Sequence, residues 1–394
     1  MAGALDGLRV LDFTTTIAGP HCCRLLADLG AHVIKIEAPE GDMMRTRPPL
    51  RNGASSAYGQ LNAGKRSVVL DLKSPKAVEA AKRLTAVSDV VIENFRPGVM
   101  RRFGLDYEVL KAVKPGLIYC AISGYGQTGP SAELPAYASV IHAASGYDLA
   151  HIAHQGGVER QPDYCGIFIA DVVTGTYAFG AILAALHQRE RTGQGQMIDV
   201  SMLESMLSLT LNEMQAAQFA IAKPPRPIFG PITASDGYVS LAIASERTFQ
   251  ALAVACGHPE WPTDPRFAKY DDRRLNWDAL IAELELWSIK RSRAEIQAVF
   301  DRHGVPSSPY RTVKEAMADP QIAHRGAFTE VEDAGGAFLA LNPPFRMSAA
   351  RTEPTPYVAA LGEHTAQVLG EIGYGPEEIA ALSGRADAPS RISG

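Results

Sequence analysis

The chain has 394 residues, 46% hydrophobic and 21% charged, with a formal net charge of −5; that is enough for two globular domains with sizeable cores. The acidic balance, without a Lys/Arg cluster interleaved with aromatics, excludes nucleic acid as an expected partner. The N-terminal segment lacks a signal-like pattern, no apolar run is read as reaching the ~18 residues of a membrane span, and five cysteines without a CxxC pair indicate neither a disulfide framework nor zinc, so a cytoplasmic protein is expected.

Residues 8–13 (LRVLDF) read as a buried strand, followed by the turn 14–20 (TTTIAGP) and a helix over 21–29 that Gly30 ends. Residues 32–36 (HVIKI) form a second strand, closing on Glu37. Strands follow at 68–70, 90–92 and 117–122, with helices at 75–87 and 107–113 between them. Short apolar strands separated by helices predict βαβ units in a parallel sheet, with ligands at the carboxyl ends of the strands. After a Gly/Pro-rich loop at 124–130 come a helical pattern over 177–188, a strand at 197–200 and a long helix over 203–221.

The Pro-rich break at 223–227 marks a domain boundary. Beyond it, a strand at 238–243, helices at 248–256, 277–287 and 293–302, and strands at 327–331 and 337–341 predict a smaller α+β domain. Helical patterns at 361–369 and 376–382 return to the first domain. The expected division is 1–222, a large Rossmann-like domain; 223–341, a small domain; and 342–394, the return. A strand, turn, helix and second strand ending in an acid is also how a dinucleotide site begins. The turn lacks G-x-G-x-x-G, however, and Pro20 removes a backbone N–H that a pyrophosphate needs.

Asp171 is an acid in an apolar, Gly-flanked segment, 165–175. Two readings stand at this point. It is an N-cap for the following helix, worth about 1 kcal/mol, or it is a nucleophile, because a carboxylate is ionised at neutral pH and attacks a carbonyl without a partner base.

Many short segments taken in order resemble the class III CoA-transferase family, which includes formyl-CoA transferase, carnitine CoA-transferase and alpha-methylacyl-CoA racemase. They include Leu11-Asp12-Phe13-Thr14, Ala18-Gly19-Pro20, residues 29–37, Gly41-Asp42, residues 62–67, Leu70-Asp71-Leu72-Lys73, Arg96-Pro97-Gly98, residues 124–130, Asp171, residues 193–196 and Leu361-Gly362-Glu363-His364-Thr365. The resemblance implies an α/β fold with a Rossmann-like large domain and a smaller α+β domain, in a homodimer of interlocked rings. It implies Asp171 as nucleophile, with coenzyme A thioesters and carboxylic acids as substrates and no tightly bound cofactor or metal. Thr16, Ile17 and Ala18 then line the thioester channel. Leu72, Lys73, Asn94, Phe95 and Arg102 lie near the nucleotide and phosphates, and Tyr137 contacts CoA.

Tyr137 stands where the racemase branch has its histidine, and His142 is read as out of register, so CoA transfer is favoured over alpha-proton exchange. The third reading is a non-catalytic CoA-binding protein. Ile17 stands where formyl-CoA transferases carry glutamine, and no glycine-rich flap is found at 231–241. Arg45 and Arg47 are candidates to hold a dicarboxylic acceptor such as itaconate, with succinyl-CoA as donor. His151 and His154 are read as loop histidines, the residues 21–23 as packing, and Trp261 as core or interface.

Overall fold

In strand β1 (Arg9–Asp12), Val10 and Leu11 are fully buried but enter different cores on opposite faces. The same alternation recurs in β2 (His32–Glu37), β6 (Val90–Glu93) and β7 (Ile118–Ser123). Strands buried on both faces read as continuous apolar runs, the mark of a parallel sheet between helical layers. A two-stranded hairpin, β3 (Leu50–Arg51) and β4 (Ala54–Ser55), precedes β5 (Arg66–Val69), and β8 (Gln196–Ser201) completes the sheet. The strand order is β5-β2-β1-β6-β7-β8, every pair parallel. The order reverses between β1 and β6, so the carboxyl ends of these two strands open the crevice where such sheets bind ligands.

The computed structural model describes residues 2–155, 161–163, 165–219 and 229–382. The early helices are α1 (Ala18–Asp28), α2 (Ser56–Asn62), α3 (Pro75–Ala86), α4 (Val99–Phe103), α5 (Tyr107–Val113), α6 (Ala138–Ala144), α7 (Tyr147–His154) and α8 (Ile169–Thr192). One core joins α3 and α5 to the sheet and includes Val368, Leu369 and Leu382 from the C-terminal helices. The other joins α1 and α8 to the opposite face.

Three expectations change. Helix α8 begins at Ile169 rather than near Tyr177, so it runs 24 residues. Gly175, between the observed and the expected start, hid the first turns, because glycine is a poor helix former. An 18-residue window of α8 has mean hydropathy 1.7, so this one described helix does meet the length and composition of a membrane span. One of its faces, through Ala178, Ile182 and Ala185, packs into the core under the sheet. The pattern at 203–221 forms two short helices, Met202–Leu207 and Leu211–Ala216, and its end lies outside the described residues.

The chain divides into two compact units. The first is Met1–Ala150, Gln161–Leu211 and Arg325–Gly394; the second is His151–Arg160 and Asn212–His324. The break at 223–227 lies outside the described residues. The hairpin of β12 (Phe328–Asp333) and β13 (Gly336–Leu341) was expected in the small domain and belongs to the first unit. Its Val331 and Ala340 pack against Tyr58, Ala63 and Val358, and the Phe338 ring fills the space beside Gly59. The second unit holds an antiparallel sheet, β9 (Phe229–Ala234), β10 (Gly237–Ala242) and β11 (Ser307–Pro309) in order β11-β10-β9. The helices Glu246–Cys256, Trp277–Ser288 and Arg293–His303 surround its core. Trp261 belongs to that core, 1% exposed, with Nε1 donating to Glu283.

Candidate active site

The turn after β1 is held from below by buried charge. Lys65 Nζ lies 3.0 Å from Asp12 Oδ2, while Asp12 Oδ1 accepts from the Thr14 amide and hydroxyl. Burial alone would raise the Asp12 pKa, yet Lys65 and Lys35 hold it down at about 2. Lys35 Nζ donates to Thr14 O at 2.7 Å and pairs with Asp42 Oδ2 at 3.0 Å. Asp42 Oδ1 in turn accepts the Thr16 N–H at 3.3 Å. Asn94, at the end of β6, clamps Thr15 from the other side: Oδ1 accepts its N–H at 2.9 Å and Nδ2 donates to its carbonyl at 2.8 Å. These partners hold Thr16 at φ 69, a conformation costly for a β-branched residue.

The clamped turn lines two cavities. Thr14 and Thr15 line one of about 170 Å³, together with Gly41, Leu72, Lys73 and Phe95. Thr16 and Ile17 line a second of about 130 Å³, together with Tyr137, His142 and Asp171. Asp171 is the only carboxylate among the described residues lining the second cavity.

Asp171 sits in the first turn of α8, not at its cap. The N-cap residue is Phe168, which has no side-chain capping bond. The cap reading is therefore set aside. The backbone N–H groups of Ala18, the first residue of α1, and of Asp171 itself instead favour the charged form of the Asp171 carboxylate. Burial raises its pKa from 3.8 to about 6, and these two N–H donors counter the rise. At neutral pH it is ionised and only lightly solvated.

Gly175 brings the two helices together. A Cβ built there would lie 2.4 Å from Ala18 O and 3.1 Å from His21 Cδ2. The close neighbour of Gly175 is therefore α1. His21 reaches across the same contact, Nε2 to Thr176 Oγ1 at 3.3 Å. Burial lowers its pKa to about 4, so it is neutral.

The other expected residues divide. Thr16, Ile17, Ala18 and Tyr137 gather around Asp171. Leu72, Lys73 and Phe95 share the other cavity, and Phe95 N–H is held by Glu93 Oε2 at 2.8 Å. Burial raises the Glu93 pKa to about 8, so this anchor carries a proton at neutral pH. Asn94 spends its side chain on the Thr15 clamp. Arg102 is exposed on α4 and lines neither cavity. Arg45 is not free for an acceptor: its guanidinium grips both Glu37 oxygens at 2.7 and 2.8 Å, donates to Ala359 O and lies over the Tyr58 ring. Arg47 is exposed. His151 and His154 lie on helix α7 rather than in a loop, and His154 Nε2 is 2.9 Å from Glu213 Oε1. Cys22 and Cys23 are fully buried on α1, as packing requires.

Sequence reasoning gave no role to Lys35, Lys65 and Asp42, and it set His142 aside as out of register although it lines the cavity of Asp171. The lysines had a usable signal, since a Lys inside an otherwise apolar strand such as HVIKIE needs a buried partner.

The family model for CoA-transferase family III matches residues 5–365. The chain belongs to CoA-transferase family III. It is 33% identical over 387 residues to a succinate–glutarate CoA-transferase of Agrobacterium fabrum, covering 93% of this chain and 95% of that one. It is 34% identical to a succinyl-CoA–D-citramalate CoA-transferase of Chloroflexus aurantiacus, covering 97% of each. The crystal structure of a CAIB/BAIF family protein from Brucella suis superposes with a TM-score of 0.83 at 36% identity, covering 94% of this chain and all of that one. This enzyme transfers coenzyme A between carboxylic acids, and CoA thioesters are its substrates.

Proposed function

We propose that Asp171 is the covalent nucleophile of this transfer, with succinyl-CoA as donor and a dicarboxylic acid as acceptor. The observation that carries the reading is the Asp171 carboxylate itself, lining a cavity at the sheet's switch point with the Ala18 N–H favouring its charged form. The carboxylate attacks the thioester carbonyl, the C–S bond breaks, and an acyl–aspartyl anhydride and CoA thiolate result. The thiolate attacks the Asp171 carbonyl, releasing the donor acid and leaving an Asp171–CoA thioester. The acceptor carboxylate runs the two steps in reverse and restores Asp171. No proton is gained or lost overall, and each acyl group stays activated throughout.

Thr16, Ile17, Ala18 and Tyr137 surround the reacting carbonyl in this reading, and Leu72, Lys73 and Phe95 hold the coenzyme. Asn94 acts by clamping the Thr15 turn, and Arg102 meets phosphate from the surface. The named relatives support the substrate class, being transferases of succinate, glutarate and citramalate. A second copy of the chain, in a homodimer, covers the apolar residues exposed around the site, such as Tyr137 (65%), Ile167 (72%) and Phe168 (52%). The large-domain, small-domain and return organisation and a cytoplasmic location complete the reading; five free cysteines support the latter.

His142 beside Asp171 is an observation in favour of alpha-proton exchange. Against it, the Nε2 lone pair already accepts the Ala170 N–H at 3.2 Å, so the ring offers no free base. The test is turnover with an acceptor acid labelled with oxygen-18 in both carboxylate positions, chosen from a panel of dicarboxylic acids. One labelled oxygen should appear on the peptide containing Asp171. Transfer without that label would sink the nucleophile assignment. Deuterium wash-in at the alpha carbon without any acceptor would mark the exchange reaction instead.

A further inference from the structure

His142 lies on α6 and is 1% exposed. Its Nε2 accepts the N–H of Ala170, one of the amides that the start of α8 leaves without an intrahelical partner. The Phe168 cap offers no side chain for that task, so His142 serves from outside the helix. A ring nitrogen that accepts carries no proton, so in the neutral imidazole the proton sits on Nδ1. Nδ1 is buried and has no hydrogen-bond partner among the described residues. The same side chain lines the cavity that contains Asp171. A buried donor left without an acceptor costs free energy, and the ring that carries it lines the same cavity as the carboxylate assigned to attack a carbonyl.

We propose that His142 completes the reaction centre: its Nδ1–H donates a hydrogen bond to the carbonyl oxygen of the acyl group that Asp171 attacks. This rests on Asp171 as the nucleophile and adds the group that receives the developing negative charge. The backbone bond from Ala170, next to Asp171 in the chain, sets the tautomer and places the donor relative to the nucleophile. The imidazole keeps its proton throughout. It is a donor and never a base, because its one lone pair is committed to Ala170. The ligand class is thus an acyl oxygen, a neutral carbonyl in the ground state and an oxyanion as the tetrahedral species forms.

Two substitutions separate this role from that of a helix cap. The amide of His142→Gln reaches the position of Nε2, so it keeps the acceptor for Ala170 and lacks the Nδ1 donor. The amide of His142→Asn reaches the position of Nδ1, so it keeps the donor and loses the acceptor. With succinyl-CoA as donor, His142→Gln should fold normally and lose about 10²- to 10³-fold in kcat, the usual effect of removing one oxyanion donor. Its KM should stay within about threefold, since the lost bond strengthens only in the transition state. His142→Asn should melt earlier and retain more kcat than the Gln variant. A Gln variant with kcat within about threefold of the parent would reduce His142 to a cap and overturn the proposal. An Nδ1 proton resonance that does not shift when the enzyme is loaded with succinyl-CoA would overturn it equally. The covalent adduct on the Asp171 peptide of the parent enzyme is the control: its absence under turnover would fault the nucleophile, whereas its slow formation in His142→Gln alone bears on His142.

Discussion

Gly175→Ala tests the contact that aims the nucleophile. The added Cβ would meet Ala18 O at 2.4 Å, where ordinary contact begins at 3.4 Å. Neither atom belongs to a flexible side chain, so α1 and α8 must separate by about 1 Å. Ala18 is also the residue whose N–H favours the charged Asp171 carboxylate, so that separation moves a charge-stabilising group away from the nucleophile. Overpacking of this kind costs about 1–3 kcal/mol of stability. A misplacement of ~1 Å at a reacting group costs about 10²-fold in rate. The expected result is a folded enzyme, a few degrees less stable, with kcat/KM for CoA transfer reduced about a hundredfold. Thermal melting and initial-rate transfer assays on the same preparation measure both. Gly180→Ala is the control, since a Cβ there meets nothing within 4 Å. If Gly175→Ala matched Gly180→Ala in rate, the helix contact would not position Asp171.

Other predictions rest on charge. Asp171→Asn should abolish transfer yet stabilise the fold, because the native pKa of about 6 lies above the unfolded 3.8. The native state then binds the proton more tightly, and stability falls as pH rises from 3.8 to 6 and stays flat above. For a partly exposed group this penalty is about 1–3 kcal/mol at pH 7, and denaturant melts of the two proteins at pH 4 and 7 should show it vanish in the variant. The same pKa predicts that kcat/KM falls about tenfold between pH 7 and pH 5, as the nucleophile becomes protonated; a profile flat to pH 5 would contradict it. Lys35→Met should cost about 3–5 kcal/mol, because it strands Asp42 inside the protein and frees the Thr14 carbonyl. Arg45→Ala should lower stability without changing the preference among acceptor acids, because Arg45 is committed to Glu37; a changed preference in a competition assay would return it to the substrate site.

The strands and most helices were legible because their evidence is local. Continuous apolar runs such as those at 8–13 and 117–122, with Gly and Pro between them, state a buried parallel sheet, and the observed strands fall within a residue or two of those runs. The hairpin at 328–341 was also legible as strands, but not its neighbour. A pair of strands carries no mark of which surface it will cover, and only the packing of Phe338 beside Gly59 and of Val331 against Tyr58 assigns it to the first unit.

Asp171 stood out in the sequence as an acid without a reason, and the segments around it carried the family. What the sequence alone determined is therefore the fold class, the chemistry and the suspect. The tertiary structure decided the suspect's setting. Helix α8 starts at Ile169 because core contacts on its Ala178 face outweigh the poor helix propensity of Gly175, and that start turns a presumed cap into a first-turn carboxylate facing α1. His142 and Asp171 are 29 positions apart in the chain and share a cavity only because α6 and α8 pack together. Local pattern reports which face of an element is buried. Which atoms meet across two such faces is decided by the packing of the whole.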